Sequence, residues 1–219
     1  MNLSTHSIAA QMTPPAGAIV LFDGTNLDRW VKRSDRRETA AWPVTNGEMT
    51  TKGGDIVTRD TFRDFRLHVE FCCPNLPTDV TGQKRSNSGV FLQGRYEIQV
   101  LDSWGKNPPG KGDCGAIYNV AAPLVNACAP GDAWQSYDVF FRAARFDDTA
   151  GKKTEPARVT LLHNGVVVHN NVAVPRPTGG ALESDETKPG PLLLQDHGDA
   201  VRYRNVWIVP LPLAGSDKY

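Results

Sequence analysis

The chain has 219 residues, with 24 Lys+Arg against 24 Asp+Glu and a net charge of +0, a length that suits one large domain or two small ones. No long basic run is present, so nothing points to a nucleic acid or an anionic membrane as partner. No apolar run approaches the roughly 20 residues that span a bilayer, and Gly 20 with Pro 16 mark a turn-rich chain of the all-β kind.

Residues 1–17 are polar and carry Pro14-Pro15. They read as a flexible arm without the basic and apolar regions of a secretory signal. Ile19-Val20-Leu21-Phe22 is a short strand stopped by Asp23-Gly24-Thr25-Asn26, with Leu27 and Trp30 as anchors. Asn46-Gly47, between Trp42-Pro43-Val44 and Glu48-Met49-Thr50, is a type I′ hairpin signal. Ile56-Val57-Thr58 is another short strand. Phe65, Leu67, Val69 and Phe71 alternate with Arg66, His68 and Glu70, which predicts a half-buried strand with His68 at the surface.

A polar loop over 74–86 delivers the chain into Asn87 to Ser103, two strands broken at Gly94. From Arg95 the side chains alternate. Tyr96, Ile98 and Val100 face a core, while Arg95, Glu97 and Gln99 line the other face about 7 Å apart. A plain solvated face would favour Lys, Thr and Ser, so this row reads as the floor of a ligand groove. Asp102 differs from Glu97 by an odd number, which puts it on the opposite face of a regular strand. A β-bulge near Leu101 would bring the two together; otherwise Asp102 caps a turn.

Trp104 to Asp113 is irregular, Gly115 to Tyr118 is strand-like, and 121–131 is a loop. Trp134 to Arg142 is a strand, with Trp134 assigned to the core. Arg158 to His163 and Val166 to His169 form a hairpin across Asn164-Gly165. After a polar loop over 175–191, Pro191 to Gly198 and Val201 to Pro210 are the last strands. Arg204 to Trp207 closes the sandwich, with Arg204 as an alternative partner for a groove carboxylate. No stretch holds a helical period over three turns. The pattern predicts an all-β antiparallel sandwich, a jelly roll in one domain over 18–212, with a tail over 213–219.

Three constellations bear chemistry. Glu97, Gln99 and Asp102 offer the carboxylates that glycoside cleavage uses. Gln195 and His197 share a face of the penultimate strand, and imidazole suits proton transfer near neutral pH. Trp104 and Tyr118 offer rings for stacking a sugar. Of the four cysteines, Cys114 and Cys128 are the candidate disulfide, which would favour a periplasmic or extracellular protein; four reduced thiols, and a cytoplasmic protein, are the alternative. No zinc spacing is present and no cofactor is expected; a divalent cation at the carboxylates has no support in the residues.

These stretches resemble the 3-keto-disaccharide hydrolase domain family. The resemblance runs over roughly 19–210: Leu21 to Leu27, Trp42 to Gly47, Phe65 to Phe71, Asn87 to Asp102, Gly115 to Tyr118, Trp134 to Asp138, Leu194 to Gly198 and Arg204 to Trp207. It implies a concanavalin-like jelly roll, distantly similar to retaining β-glucanases whose catalytic strand reads Glu-x-Asp-x-x-Glu. Here the stretch is Glu97-x-Gln99-x-x-Asp102, with an amide for the middle carboxylate. It also implies substrates already oxidised at C3, a carbohydrate whose acidified C2 proton opens an elimination–hydration route. On that reading His197 or Glu97 takes the C2 proton, and Arg95, Asn87 or Gln99 binds the C3 oxygen. Asp102 assists the leaving group, and Trp104, Tyr118 and Gln195 bind the sugar. The alternative is a carbohydrate-binding module of the same fold without catalysis.

Overall fold

The computed structural model describes residues 12–147 and 149–213. Residues 1–11 of the expected arm and 214–219 of the expected tail lie outside them. The strands are β1 (Ile19–Phe22), β2 (Trp30–Lys32), β3 (Val44–Thr45), β4 (Glu48–Thr50), β5 (Ile56–Thr58), β6 (Phe65–Cys72), β7 (Ser88–Leu92) and β8 (Tyr96–Val100). They continue as β9 (Trp134–Arg142), β10 (Arg145–Phe146), β11 (Lys153–Glu155), β12 (Ala157–His163), β13 (Val166–Val174), β14 (Leu193–Leu194) and β15 (Arg202–Pro210). Among the described residues the helical content is one 3₁₀ turn, Gly82–Lys84.

Two antiparallel sheets face each other. The larger runs β13-β12-β9-β6-β15-β4-β3, with β1 on the far end of β15; the smaller runs β2-β5-β14-β7-β8. Alternation drives the packing, because apolar residues at every second position remove one face of each sheet from water. Phe65, Leu67, Val69 and Phe71 of β6 and Tyr96, Ile98 and Val100 of β8 meet in one core.

The hairpins form where expected: Asn46 and Gly47 lie at φ 54 and 80, Asn164 and Gly165 at φ 51 and 78. A third joins β7 to β8, where Gln93 takes φ 52 ahead of Gly94 at φ 65. Gln93 lacks the intrinsic tolerance of Asn for this conformation. Its side chain compensates, donating to the carbonyls of Phe62 at 2.9 Å and Arg63 at 3.2 Å.

Several expectations change. His68 is 1% exposed. It lies between Asp138 (3.1 Å) and Glu70 (3.5 Å) and stacks on Trp207 with centroids 5.0 Å apart. The outer face of the large sheet thus carries a packed ionic layer, because Trp207 covers the imidazole and the carboxylates supply its hydrogen bonds. Trp134 belongs to that outer layer and not to the core, with the Arg204 guanidinium 4.0 Å above its ring. Arg204 pairs with Glu70 at 2.7 Å. A bulge in β15, where Asn205 takes φ 47, turns both Arg204 and Asn205 onto that carboxylate. Gly115 to Tyr118 makes only isolated bridges, Ile98 to Ile117 and Ile117 to Ala121. All four cysteines are free and buried, which corrects the Cys114–Cys128 disulfide. Cys114 Sγ lies 3.1 Å from the Tyr137 hydroxyl and Cys128 Sγ donates to the Ala129 carbonyl at 3.4 Å, and the two thiols are hydrogen-bonding neighbours of each other, which pushes the Cys128 thiol up.

Candidate functional site

Strand register places the site. Leu193 pairs with both Val57 and Phe91, Val31 with Val57, and Phe91 with Glu97. These residues form one row across the outer face of the small sheet. Val31, Val57, Leu193 and Phe91 are buried, and Leu182 of the 175–191 loop packs over them. Tyr118 donates its backbone N–H to the Glu97 carbonyl at 3.1 Å, which extends the row past the sheet edge.

Two residues along each strand, a polar row follows. Arg33 donates its N–H to the Asp55 carbonyl, Gln195 to the Gly89 carbonyl, and Gly89 pairs with Gln99. Side chains two apart share a face, so Arg33, Asp55, Gln195 and Gln99 stand beside Glu97. Gly89 supplies the space between them: a Cβ there would lie 2.8 Å from Glu97 Oε1. The carboxyl therefore folds across β7 toward Gln195, whose Oε1 is buried without a hydrogen-bond partner.

Glu97 is 4% exposed. Burial pushes its carboxyl up to about 8, and the charge of Asp55 adds to the shift. Asp55 is held by Arg33 Nη1 at 2.8 Å and by the Asp196 N–H at 2.9 Å. The site thus joins one acid that keeps its proton near neutral pH to a salt-bridged carboxylate on the same face. Gln99 Nε2 donates to Gln83 Oε1 at 2.9 Å and to Asn87 Oδ1 at 3.3 Å. Gln83 Nε2 donates to the Gly112 carbonyl at 2.7 Å.

The residues expected at the site divide. Glu97, Gln99, Asn87, Gln195 and Tyr118 belong to the polar floor. Asn87 acts there as a brace: its N–H donates to Asp199 Oδ2 at 2.7 Å and its amide to the Gln83 carbonyl at 2.8 Å. Arg95 is fully buried and spends its guanidinium on Glu183 and the Lys188 carbonyl, which anchors the 175–191 loop. The pairing of β7 with β8 runs in unbroken register and β8 ends at Val100, so the bulge near Leu101 does not form. Asp102 instead caps the following turn through the Trp104 N–H at 3.2 Å and pairs with Arg85 at 2.8 Å. Asp102 and Trp104, the latter 61% exposed, line a separate hollow of about 300 Å³ beside Arg85 and Lys106. His197 stands exposed in the loop after β14 and makes no hydrogen bond or ion pair to Glu97 among the described residues.

Sequence reasoning missed Asp55, Arg33 and Gln83. Asp55 follows Gly53-Gly54 and reads as a turn residue. Only the pairing of β5 with β14 sets it opposite Gln195. Among the described residues, no group of three or more His, Cys, Asp or Glu side chains has an arrangement that would hold a metal ion.

The space above Gly89 yields a test. Gly89→Ala is expected to displace the Glu97 carboxyl and lower turnover by ~10-fold or more, while circular dichroism keeps the native β spectrum. Unchanged turnover would remove the close approach from the argument.

Comparison with known proteins agrees with this architecture. Residues 17–209 match the 3-keto-alpha-glucoside-1,2-lyase-like domain. A crystal structure from Parabacteroides distasonis ATCC 8503, of a protein assigned as a glycosyl hydrolase, is 38% identical with a TM-score of 0.81. The match covers 91% of this chain and 86% of that one. A second such structure from the same organism is 19% identical, with a TM-score of 0.62 over 90% and 94% of the two chains. The alginate lyase Aly36B, 10% identical, shares the fold with a TM-score of 0.50 over 91% and 99%. No curated protein matches the chain.

Proposed function

From the premise that the chain belongs to the 3-keto-alpha-glucoside-1,2-lyase-like domain family, a concanavalin-like sandwich related to glycosyl hydrolases, we propose that it cleaves glycosides oxidised at C3. The observation that carries this reading is Glu97, a buried carboxylic acid, pushed up to about 8, on the same face as the Arg33-paired Asp55. Binding a sugar needs no such group, whereas expelling an alkoxide does.

The C3 ketone acidifies the C2–H bond. A base removes that proton, the electrons form the C1=C2 bond, and the C1–O bond breaks. The departing oxygen takes the Glu97 proton. Addition of water across C1=C2 then gives the 3-keto sugar, so the net reaction is hydrolysis by elimination and hydration. Asp55 is the carboxylate that shares this face, and His197, in the loop after β14, is the second candidate base. Gln195 Oε1, buried without a partner, is the acceptor a sugar hydroxyl would satisfy, and Tyr118, half-buried at the sheet edge, is the ring beside it. Arg95 is fully buried against the 175–191 loop and Asp102 lines the separate hollow beside Arg85, so both are left out of the catalytic assignment expected from sequence.

The test pairs each disaccharide with its 3-oxidised form and follows release of reducing sugar. Turnover confined to the oxidised member is expected. Turnover of native disaccharides alone would reject the elimination route. Binding without turnover on either would assign the chain to the carbohydrate-binding alternative.

A further inference from the structure

The hydrogen bonds around Glu97 have a direction, and a backbone carbonyl fixes it. The Gly112 carbonyl can only accept. Gln83 therefore presents Nε2 to it, at 2.7 Å, and turns Oε1 toward Gln99. That oxygen accepts from Gln99 Nε2 at 2.9 Å, and Asn87 Oδ1 accepts from the same nitrogen at 3.3 Å. Asn87 is pinned in turn, because its Nδ2 donates to the Gln83 backbone carbonyl at 2.8 Å. The remaining end of the Gln99 amide is its oxygen, which lies 3.2 Å from the Ser88 carbonyl oxygen and 2.9 Å from Glu97 Oε1. Two oxygens at that distance need a proton between them.

Turning the Gln99 amide over would let it donate to Glu97 Oε1 at 2.9 Å and to the Ser88 carbonyl at 3.2 Å. It would also set its oxygen against Gln83 Oε1 and Asn87 Oδ1. Turning Gln83 as well would put its oxygen 2.7 Å from the Gly112 carbonyl. That 2.7 Å oxygen–oxygen contact on a backbone group is closer than the 3.2 Å approach of Gln99 Oε1 to the Ser88 carbonyl in the unturned arrangement, so the unturned one is favoured.

We propose that Gln83 is a positioning residue which, through Gln99, holds Glu97 as the proton donor of the site. Its catalytic meaning rests on the proposed glycoside cleavage; the protonation of Glu97 does not. The other charged or titratable groups around Glu97 are Asp55 with Arg33, Tyr118, Arg95 with Glu183, and Tyr203 beneath the sheet. Asp55 reinforces the relay, and Tyr203 directs its hydroxyl to Ser88 at 2.6 Å.

The experiment reads Glu97 directly by ¹³C NMR of glutamate-labelled protein, with the resonance assigned by its loss in Glu97→Gln. The wild-type carboxyl is expected to titrate at about 8. In Gln83→Leu the Gln99 amide keeps only the longer bond to Asn87 Oδ1, at 3.3 Å, against two acceptors on the other side, so it should turn and donate to the carboxylate and the Ser88 carbonyl, and proton affinity should fall ~10-fold or more. The alkaline limb of the kcat/KM profile should move down with it. Simple desolvation by leucine would move both the other way. An unchanged or raised midpoint overturns the relay. Gln83 is a surface residue of the 3₁₀ turn, and wild-type protein provides a check that needs no variant. The Gln99 amide protons should show contacts to Asn87; contacts to Glu97 instead would overturn the relay. A confirmed relay in a protein that leaves 3-oxidised glycosides intact would reject the functional reading alone.

Discussion

Glu97→Gln is expected to lower turnover of a 3-oxidised glycoside by ~10²–10⁴-fold, the range of a lost general acid, while making the folded protein more stable at alkaline pH. The two effects share one cause. The amide of glutamine donates to Gln99 Oε1 as the protonated acid does, so the relay to Gln83 survives, but it has no proton to give a leaving group. The stability sign follows from the direction of the shift. Burial, then the charge of Asp55, raises the folded carboxyl from 4.5 to about 8. The stability associated with its proton is complete below the unfolded value of 4.5 and is lost as pH climbs through about 8. That loss is on the order of a few kcal/mol. Glutamine does not titrate, so the difference in unfolding free energy between variant and wild type should grow from pH 5 to pH 8.5. Urea unfolding across that window, with turnover at pH 7, checks both halves. A difference that stays flat with pH would show that Glu97 is ionised in the folded protein.

Glu70→Gln is expected to cost about 3–5 kcal/mol of stability at pH 7, the usual scale for removing one partner of a buried ion pair. Glu70 accepts from Arg204 Nε at 2.7 Å and Asn205 Nδ2 at 2.8 Å and faces His68 at 3.5 Å, with its side chain 7% exposed. Burial opposes its charge, but hydrogen bonds from His68, Asn205 and Arg204 outweigh it and hold the carboxyl down to about 2. Its contribution is therefore present above 4.5 and lost as pH falls through about 2. His68 runs the other way. Burial lowers it, yet Asp138 and Glu70 together leave it raised. Its share is complete below 6.5 and disappears as pH rises through the folded value. Substituting Glu70 should flatten the acid limb of the stability curve and lower Tm by about 10 °C. Turnover at saturating substrate should stay unchanged, because the cluster lies on the outer face of the opposite sheet. A loss under ~1 kcal/mol would show that water, and not the ionic layer, solvates this face.

The two outer faces explain why part of the chemistry was hidden in the sequence. Arg66, His68 and Glu70 alternate with apolar residues, as a solvated face does, yet Trp207 and the Arg204–Asn205 bulge cover them. Arg95, Glu97 and Gln99 alternate in the same way. The 175–191 loop covers Arg95 and Glu97 through Glu183 and Thr178, and the 3₁₀ turn covers Gln99 through Gln83. Composition of a strand reveals which residues share a side. It does not reveal what lies on top of that side.

Local patterning determined the all-β class, the positions of most strands, the Asn-Gly hairpins and the division of Phe65–Phe71 and Tyr96–Val100 into core and outer faces, because period-two alternation and turn chemistry act between near neighbours. It also singled out Glu97 and Gln99. The tertiary structure alone decided that Asp55 joins Glu97, that Gln83 orients Gln99 and that Asp102 turns to Arg85. Each depends on register or loop closure between segments far apart in the chain. A register shift of one residue would send Asp55 and Gln195 to opposite faces, and no stretch of sequence read by itself carries that pairing.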